Sequence, residues 1–84
     1  MTVTLLLFAA AREAAGRGSD TYDVEVTPTV GAVLEAARSA YGPTFSAVLD
    51  RARVWLNGDE PSDGPTTRLA DGDEVAVLPP VSGG

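Results

Sequence analysis

The 84-residue sequence contains no cysteine, no histidine and no lysine. Without cysteine there is no disulfide, no thiolate nucleophile and no Cys-ligated zinc site. Without histidine and lysine, imidazole metal sites, Ser–His pairs and lysine Schiff bases also lack their necessary atoms. We therefore expect no metal site and no enzymatic activity from the chain in isolation, because another protein must supply most of any covalent chemistry.

Positive charge is scarce too, since six arginines stand against twelve Asp and Glu residues and the net charge is -6. Such a chain repels polyanions, so we expect no nucleic-acid partner, and its net charge favours basic or apolar partners. The apolar stretch 3–11 is too short to span a bilayer. A signal peptide begins with basic residues, whereas the first basic residue of this chain is Arg12. The sequence predicts a cytoplasmic protein with no membrane partner.

The size and the first apolar segments predict one small domain that begins with strands. Residues 3–8 (VTLLLF) predict a central strand that is apolar on both faces. Residues 9–15, followed by Gly16, predict a short helical turn. The alternation in residues 21–26 (TYDVEV) predicts a half-exposed strand, antiparallel to the first.

The most regular pattern predicts an amphipathic helix that starts after Thr27, the expected N-cap, with Pro28 as its first residue. Gly42-Pro43 is expected to end this helix, and residues 45–49 suggest one more short helical turn. Apolar side chains at helical spacing form one stripe along it: Val30, Val33, Leu34, Ala37 and Tyr41.

The second half of the chain predicts two more strands. Residues 54–56 (VWL) precede Asn57-Gly58, a pair that favours a tight hairpin. After an irregular loop at 61–67, residues 74–78 (EVAVL) form the last strand, which Pro79-Pro80 ends because proline cannot donate to a ladder. The order β, β, α, β, β predicts an α+β domain in which a mixed sheet of four to five strands wraps one main helix. Because the last strand is as apolar as the first, we expect the two to lie beside each other at the sheet centre.

Two motifs carry a resemblance to a known family. Residues 69–84 (LADGDEVAVLPPVSGG) and 8–16 (FAAAREAAG) resemble the MoaD/ThiS-type ubiquitin-like sulfur carriers, closest to the small subunit of molybdopterin synthase. A terminal Gly-Gly is a weak signal, whereas DGDEVA, PPV and GG at this spacing are specific. The resemblance, weakest across residues 43–68, implies a ubiquitin-like β-grasp domain at 1–78 and a flexible tail at 79–84.

The resemblance also implies a chemistry for Gly84. In this family an adenylating enzyme related to ubiquitin-activating enzymes (MoeB-like) uses ATP to activate the terminal glycine carboxylate, which becomes a thiocarboxylate. Its sulfur then goes to cyclic pyranopterin monophosphate held by the large subunit of molybdopterin synthase (MoaE-like), in molybdenum cofactor biosynthesis. The implied modification is a C-terminal thioglycine, with no cofactor bound permanently.

The tail residues suit delivery on physical grounds. Gly83 and Gly84 lack Cβ, so their backbone can thread a narrow channel, while Pro79-Pro80 stiffen the root of the tail. At ~3.3 Å per residue, the six residues from Pro79 reach roughly 20 Å beyond the sheet. The sequence therefore predicts partner contacts at these positions and at their neighbours Val81 and Ser82.

One helix covers only one sheet face, so the surplus apolar side chains predict a docking patch there. The candidates are Phe8, Val77 and Leu78, against the alternative that they are simple core, and Phe8 and Leu78 are expected at its tail end. The family match suggests that Arg12 contacts an acidic group on a partner, against the alternative of a solvated helix residue. Trp55 is expected in the core or at its rim, without a functional role. Other functions stay open: a carrier for thiazole or cysteine biosynthesis, a ubiquitin-like protein modifier, or a binding domain whose tail is irrelevant.

Overall fold

The computed structural model describes residues 1–80, which form one mixed sheet with helices on one face. The sheet order is β2-β1-β4-β3. The elements in chain order are β1 (Thr2–Leu7), α1 (Ala9–Ala15), β2 (Ser19–Asp23), α2 (Val30–Tyr41), α3 (Pro43–Leu49), β3 (Arg53–Leu56), a 3₁₀ turn (Gly64–Thr66) and β4 (Glu74–Leu78).

The first and last strands are adjacent at the centre of the sheet, as their apolar sequences predict, and they run parallel. Leu5 lies opposite Val75 and Leu7 opposite Val77 in the β1–β4 ladder. Strand β2 pairs with β1 and strand β3 with β4, both in the antiparallel sense. A chain that returns parallel to its first strand must cross the sheet, and the helices lie in this crossing.

Alternation along the two central strands sorts their side chains between two faces. One side chain in two from each strand points to the helices and is buried, and these residues form the core with Val33 and Ala37 of α2 and Phe45 of α3. The other side chains, Leu6, Ala76 and Leu78 among them, lie on the face that no helix covers. The prediction of strands that are apolar on both faces is therefore confirmed.

The predicted second strand at 21–26 is wrong at both ends, because the observed strand covers Ser19–Asp23. After Asp23 the chain turns, and the carbonyl of Asp23 accepts hydrogen bonds from the backbone N–H groups of Val26 and Thr27. Val26 consequently leaves the sheet and is 77% exposed. The alternation of polar and apolar residues continues beyond the end of the strand, because residues in a turn can show the same pattern as a half-exposed strand.

The predicted N-cap of the main helix is also wrong by two residues. The hydroxyl of Thr27 donates to the carbonyl of Asp23 at 3.1 Å and so completes the preceding turn. The N-cap is Thr29, whose Oγ1 accepts the backbone N–H of Ala32 at 3.1 Å. Both threonines can cap a backbone N–H, and the tertiary position of the turn decides which one caps α2.

The turns at Gly42-Pro43 and Asn57-Gly58 follow the sequence expectations in part. Gly42, with φ of 88°, ends α2, and Pro43 begins α3, which has seven residues instead of one short turn. Asn57 and Gly58 both have positive φ, as a tight turn requires. The hairpin is limited to one residue pair, because β3 takes β4 as its partner.

A polar cluster ties the edge strand β2 to the end of α2. The hydroxyl of Tyr41 donates to the Asp20 carboxylate, and Arg17 pairs with that carboxylate at 3.3 Å. Partial burial disfavours the charged form of Asp20, but the bonds from Tyr41, from the Thr21 N–H and from Arg17 outweigh it and lower its pKa. The buried hydroxyl of Tyr22 has no hydrogen-bond partner in residues 1–80, and burial raises its pKa to about 12.

We expect Tyr41→Phe to lower the free energy of unfolding by about 1 kcal/mol at neutral pH, because it removes a hydrogen bond to a charged group. A carboxyl whose pKa is lowered by folding stabilises the native state above its unfolded pKa of about 4 and loses this effect as pH falls through the folded pKa. Urea unfolding should show the difference from wild type shrinking in acid. An equal difference in acid and at neutral pH would contradict the assignment.

Tyr22→Phe should leave the free energy of unfolding unchanged or raise it by up to about 1 kcal/mol, because it deletes an unpaired buried hydroxyl. A phenol with a raised pKa stabilises the native state below its ordinary pKa of 10, and the effect is lost as pH rises towards about 12. The variant should therefore lose less stability than wild type in alkaline urea unfolding. A clear destabilisation at neutral pH would show that the hydroxyl has a partner.

Candidate functional site

The root of the tail lies where the two central strands end. Because β1 and β4 are parallel, they end at the same edge of the sheet, and Phe8 directly after β1 comes beside the last residues of β4. The backbone N–H of Phe8 donates to the carbonyl of Val77 at 3.3 Å. Leu78, the last residue of β4, lies opposite Arg53 of β3. We call this edge the tail end of the sheet.

A groove of about 460 Å³ runs along the uncovered face towards the tail end. Apolar side chains from the three neighbouring strands form most of its walls, with a carboxylate and a turn glycine at its far end. We call it the open-face groove; its lining residues are Leu6, Phe8, Trp55, Gly58, Glu74, Ala76 and Leu78. The predicted docking residues Phe8 and Leu78 thus lie together, whereas Val77 faces the helices and belongs to the core.

The chain direction changes sharply after Phe8. Ala9 has φ of 49°, a left-handed conformation that is uncommon for a residue with a Cβ and costs roughly 1–2 kcal/mol. This bend starts α1. Phe8 itself is still extended and continues the alternation of β1, so its side chain lies at the groove with that of Leu6 and is 44% exposed. A strained backbone residue therefore adjoins the predicted docking surface.

Trp55 is a functional candidate that the sequence interpretation missed. It lies opposite Ala76 and points to the open-face groove, while its neighbours Val54 and Leu56 face the core opposite Val77 and Val75. The period of two in a strand contains this information, since Val54 and Leu56 can share only one face. The assignment also needed the pairing with β4, which indicates which face the helices cover.

Arg12 lies at the tail end but outside the groove. It is exposed on α1, and its side chain packs over the backbone of Gly18, where an added Cβ would be 3.5 Å from Nε. Within residues 1–80 it makes no ion pair shorter than 4.0 Å. Its proposed contact with a partner stays a prediction.

The tail itself is described only at its root. Pro79 is half-buried and Pro80 is exposed. The other predicted site residues, Val81, Ser82, Gly83 and Gly84, lie outside the described residues. Within residues 1–80, no group of three or more Asp and Glu side chains is arranged to hold a metal ion. None of the helices in this part of the chain has the length and apolar composition of a membrane span.

Comparison with known proteins identifies the family. Residues 5–84 match the sequence profile of the ThiS family. The chain belongs to this family. This ThiS-family chain is 36% identical over 92 aligned positions to Small archaeal modifier protein 3 of Haloferax volcanii. It is 32% identical over 84 positions to the molybdopterin synthase sulfur carrier subunit of Chlamydomonas reinhardtii. Both alignments cover 100% of this chain and 100% of the relative.

A solved structure agrees with this assignment to the ThiS family. The crystal structure of SAMP1 from Haloferax volcanii matches with a TM-score of 0.83 and 35% identity, and 100% of both chains is covered. The fold is therefore the ubiquitin-like β-grasp, and the chain is a sulfur carrier of the ThiS/MoaD type or a ubiquitin-like modifier. The family that the two sequence motifs indicate is confirmed.

Proposed function

We propose that the chain carries sulfur as a thiocarboxylate on Gly84 and serves as the small subunit of molybdopterin synthase in molybdenum cofactor biosynthesis. One observation carries the proposal. The central strand β4 ends at Leu78 beside an apolar groove and is followed by Pro79-Pro80, in a chain 32% identical along its full length to a molybdopterin synthase sulfur carrier subunit.

The proposed reaction needs little from this chain. A carboxylate oxygen of Gly84 attacks the α-phosphorus of ATP and pyrophosphate leaves, so that the carboxylate becomes an acyl adenylate. A hydrosulfide donor then attacks the acyl carbon, and AMP leaves with the bonding electrons. The adenylating enzyme supplies the ATP site, which agrees with a chain that lacks His, Lys and Cys. The large subunit would hold cyclic pyranopterin monophosphate and receive the sulfur.

We propose that both enzymes dock at the tail end, over the open-face groove. Because the six residues from Pro79 reach only about 20 Å, any active site that receives Gly84 must come close to the root of the tail. The groove supplies apolar contact surface there, with Phe8 and Trp55 as aromatic anchors. The cytoplasmic location stays a prediction of the sequence.

A second function, protein modification, is favoured by the relatives that are named as modifier proteins. A modifier uses the same activated Gly84 but ends in an isopeptide on a lysine. Because these 84 residues contain no lysine, such a bond would form on another protein and not on a side chain of a second copy. Carriers for thiazole or cysteine biosynthesis would share the tail chemistry and differ in the enzyme that accepts the sulfur.

Intact-protein mass spectrometry tests the carrier chemistry. After incubation with ATP, an adenylating enzyme and a sulfur donor, we expect a mass gain equal to one oxygen replaced by sulfur. Deletion of Gly84, or Gly83→Val, should abolish charging or transfer and leave cooperative unfolding intact, since β4 ends before the tail. An unchanged mass with an enzyme shown to be active on another carrier would contradict the proposal.

The acceptor separates the two functions. Thiocarboxylated protein mixed with the large subunit and cyclic pyranopterin monophosphate should return to the carboxylate mass as sulfur is transferred. An isopeptide on cellular lysines, with no transfer in this mixture, would establish protein modification instead.

Phe8→Asp should weaken binding to the adenylating enzyme and to the large subunit by about tenfold or more, because it places an unpaired charge in an apolar interface. The side chain is 44% exposed, so the melting temperature should change little. Val26→Asp is the matched control, since Val26 is 77% exposed in the loop after β2. Retained affinity with a collapsed melting temperature would mean that Phe8 belongs to the core.

A further inference from the structure

The sheet sorts charges between its two ends, although the chain is acidic as a whole. Strands β1 and β4 begin at the end opposite the tail, and β2 finishes there. Acidic residues concentrate at this far end, in the strand termini and in the turns that connect them: Asp23, Glu25, Asp59, Asp71, Asp73 and Glu74. The far end thus carries much of the negative net charge.

Arginines lie at the tail end. Arg53 begins β3 and lies directly opposite Leu78, the last residue before the tail. Arg51 is two residues earlier, so its Cα is within ~7 Å of that of Arg53. Both side chains are exposed, Arg53 to 76%. We call these two residues the arginine pair; Arg12 lies on the other side of the tail root.

Two acidic groups near the tail end, Asp50 and Asp20, are engaged by other residues, whereas the exposed Glu13 beside Arg12 forms no ion pair within 4.0 Å in residues 1–80. Asp50 forms an ion pair with Arg38 at 2.7 Å, and Asp20 is bound by Arg17 and Tyr41.

The arginine pair is bound less closely than Arg38 and Arg17. Arg53 approaches Glu60 only at 4.0 Å, and both side chains are exposed. In residues 1–80, Arg51 has no ion-pair partner within 4.0 Å. The two guanidinium groups are therefore available to a partner.

We propose that the arginine pair docks on a carboxylate-bearing rim around the channel into which the partner enzyme receives the tail. This inference rests on the proposed function, because it requires that a partner encloses Gly84. The partner surface at this site is then acidic, which is opposite to the basic partner that the net charge of -6 favours. A partner at the tail end meets the arginine pair and the open-face groove first, and meets the acidic far end last.

Screening makes the local charge more important than the net charge. The five residues of β4 separate the two ends by roughly 17 Å at ~3.4 Å per residue. The Debye length is about 8 Å at physiological ionic strength, so far-end carboxylates act only weakly across the sheet. Close to contact, a partner therefore senses the arginines beside Leu78, and the far-end acids orient the carrier with its tail forward.

A charge reversal with a matched control tests the proposal. Arg53→Glu and Arg68→Glu give the same net charge, so Arg68→Glu is the matched control. Arg68 is exposed and lies away from the tail end, where its backbone forms an isolated antiparallel β-bridge with Thr29 at the start of α2. Stopped-flow association with the adenylating enzyme should be about tenfold slower for Arg53→Glu at low salt, with the difference reduced at high salt. Arg68→Glu should stay within about twofold of wild type.

Two results would overturn the inference. Equal slowing by both variants would show that net charge alone acts, and association of Arg53→Glu at the wild-type rate or faster would show that the rim is not acidic. Arg51→Glu gives an independent second measurement, and unfolding curves confirm that each variant is folded.

Mass spectrometry separates this inference from the proposed function. If wild type acquires sulfur and Arg53→Glu binds normally, only the docking inference fails. If wild type acquires no sulfur, the carrier function fails whatever the association rates are.

Discussion

The parallel pairing of β1 with β4 is the constraint on which the rest of the structure depends. Parallel neighbours end at the same edge, so Phe8 and Leu78 come together where the tail begins. A parallel return also requires a crossing connection, and the helices in that connection cover one face of the sheet only. The covered face becomes the core, and the open face keeps its apolar groove.

The groove is an arrangement that folding alone does not explain. A strand that is apolar on both faces places Leu6 and Ala76 where no helix can bury them, and the same alternation places Phe8 on that face. The left-handed Ala9 directly after Phe8 adds a cost in backbone energy. Natural proteins commonly retain such local costs at binding surfaces. The chain contains no cysteine, histidine or lysine, and in the proposed function its contribution is a presented terminus and a surface that positions it.

Sequence patterns correctly predicted the helices and strands that have a strong periodicity. They misplaced the element ends that are set by local hydrogen bonds. The main helix and the last strand were correct, since Val33, Ala37 and Val75 have partners at regular spacing. The end of β2 and the N-cap were wrong because Asp23 and Thr29 offer competing hydrogen bonds that propensities do not rank. At the site, Phe8 and Leu78 were predicted and Trp55 was missed.

The sequence by itself determined the central strands, the helix stripe, the Gly-Gly motif and the absence of cysteine, histidine and lysine, because each is a property of composition or of short-range spacing. Only the tertiary structure decided which face Trp55 occupies and that Arg53 lies beside Leu78 while the acids collect at the other end. Net charge is a sum over the chain, whereas a partner senses charges within about one Debye length, and those positions depend on strand pairing.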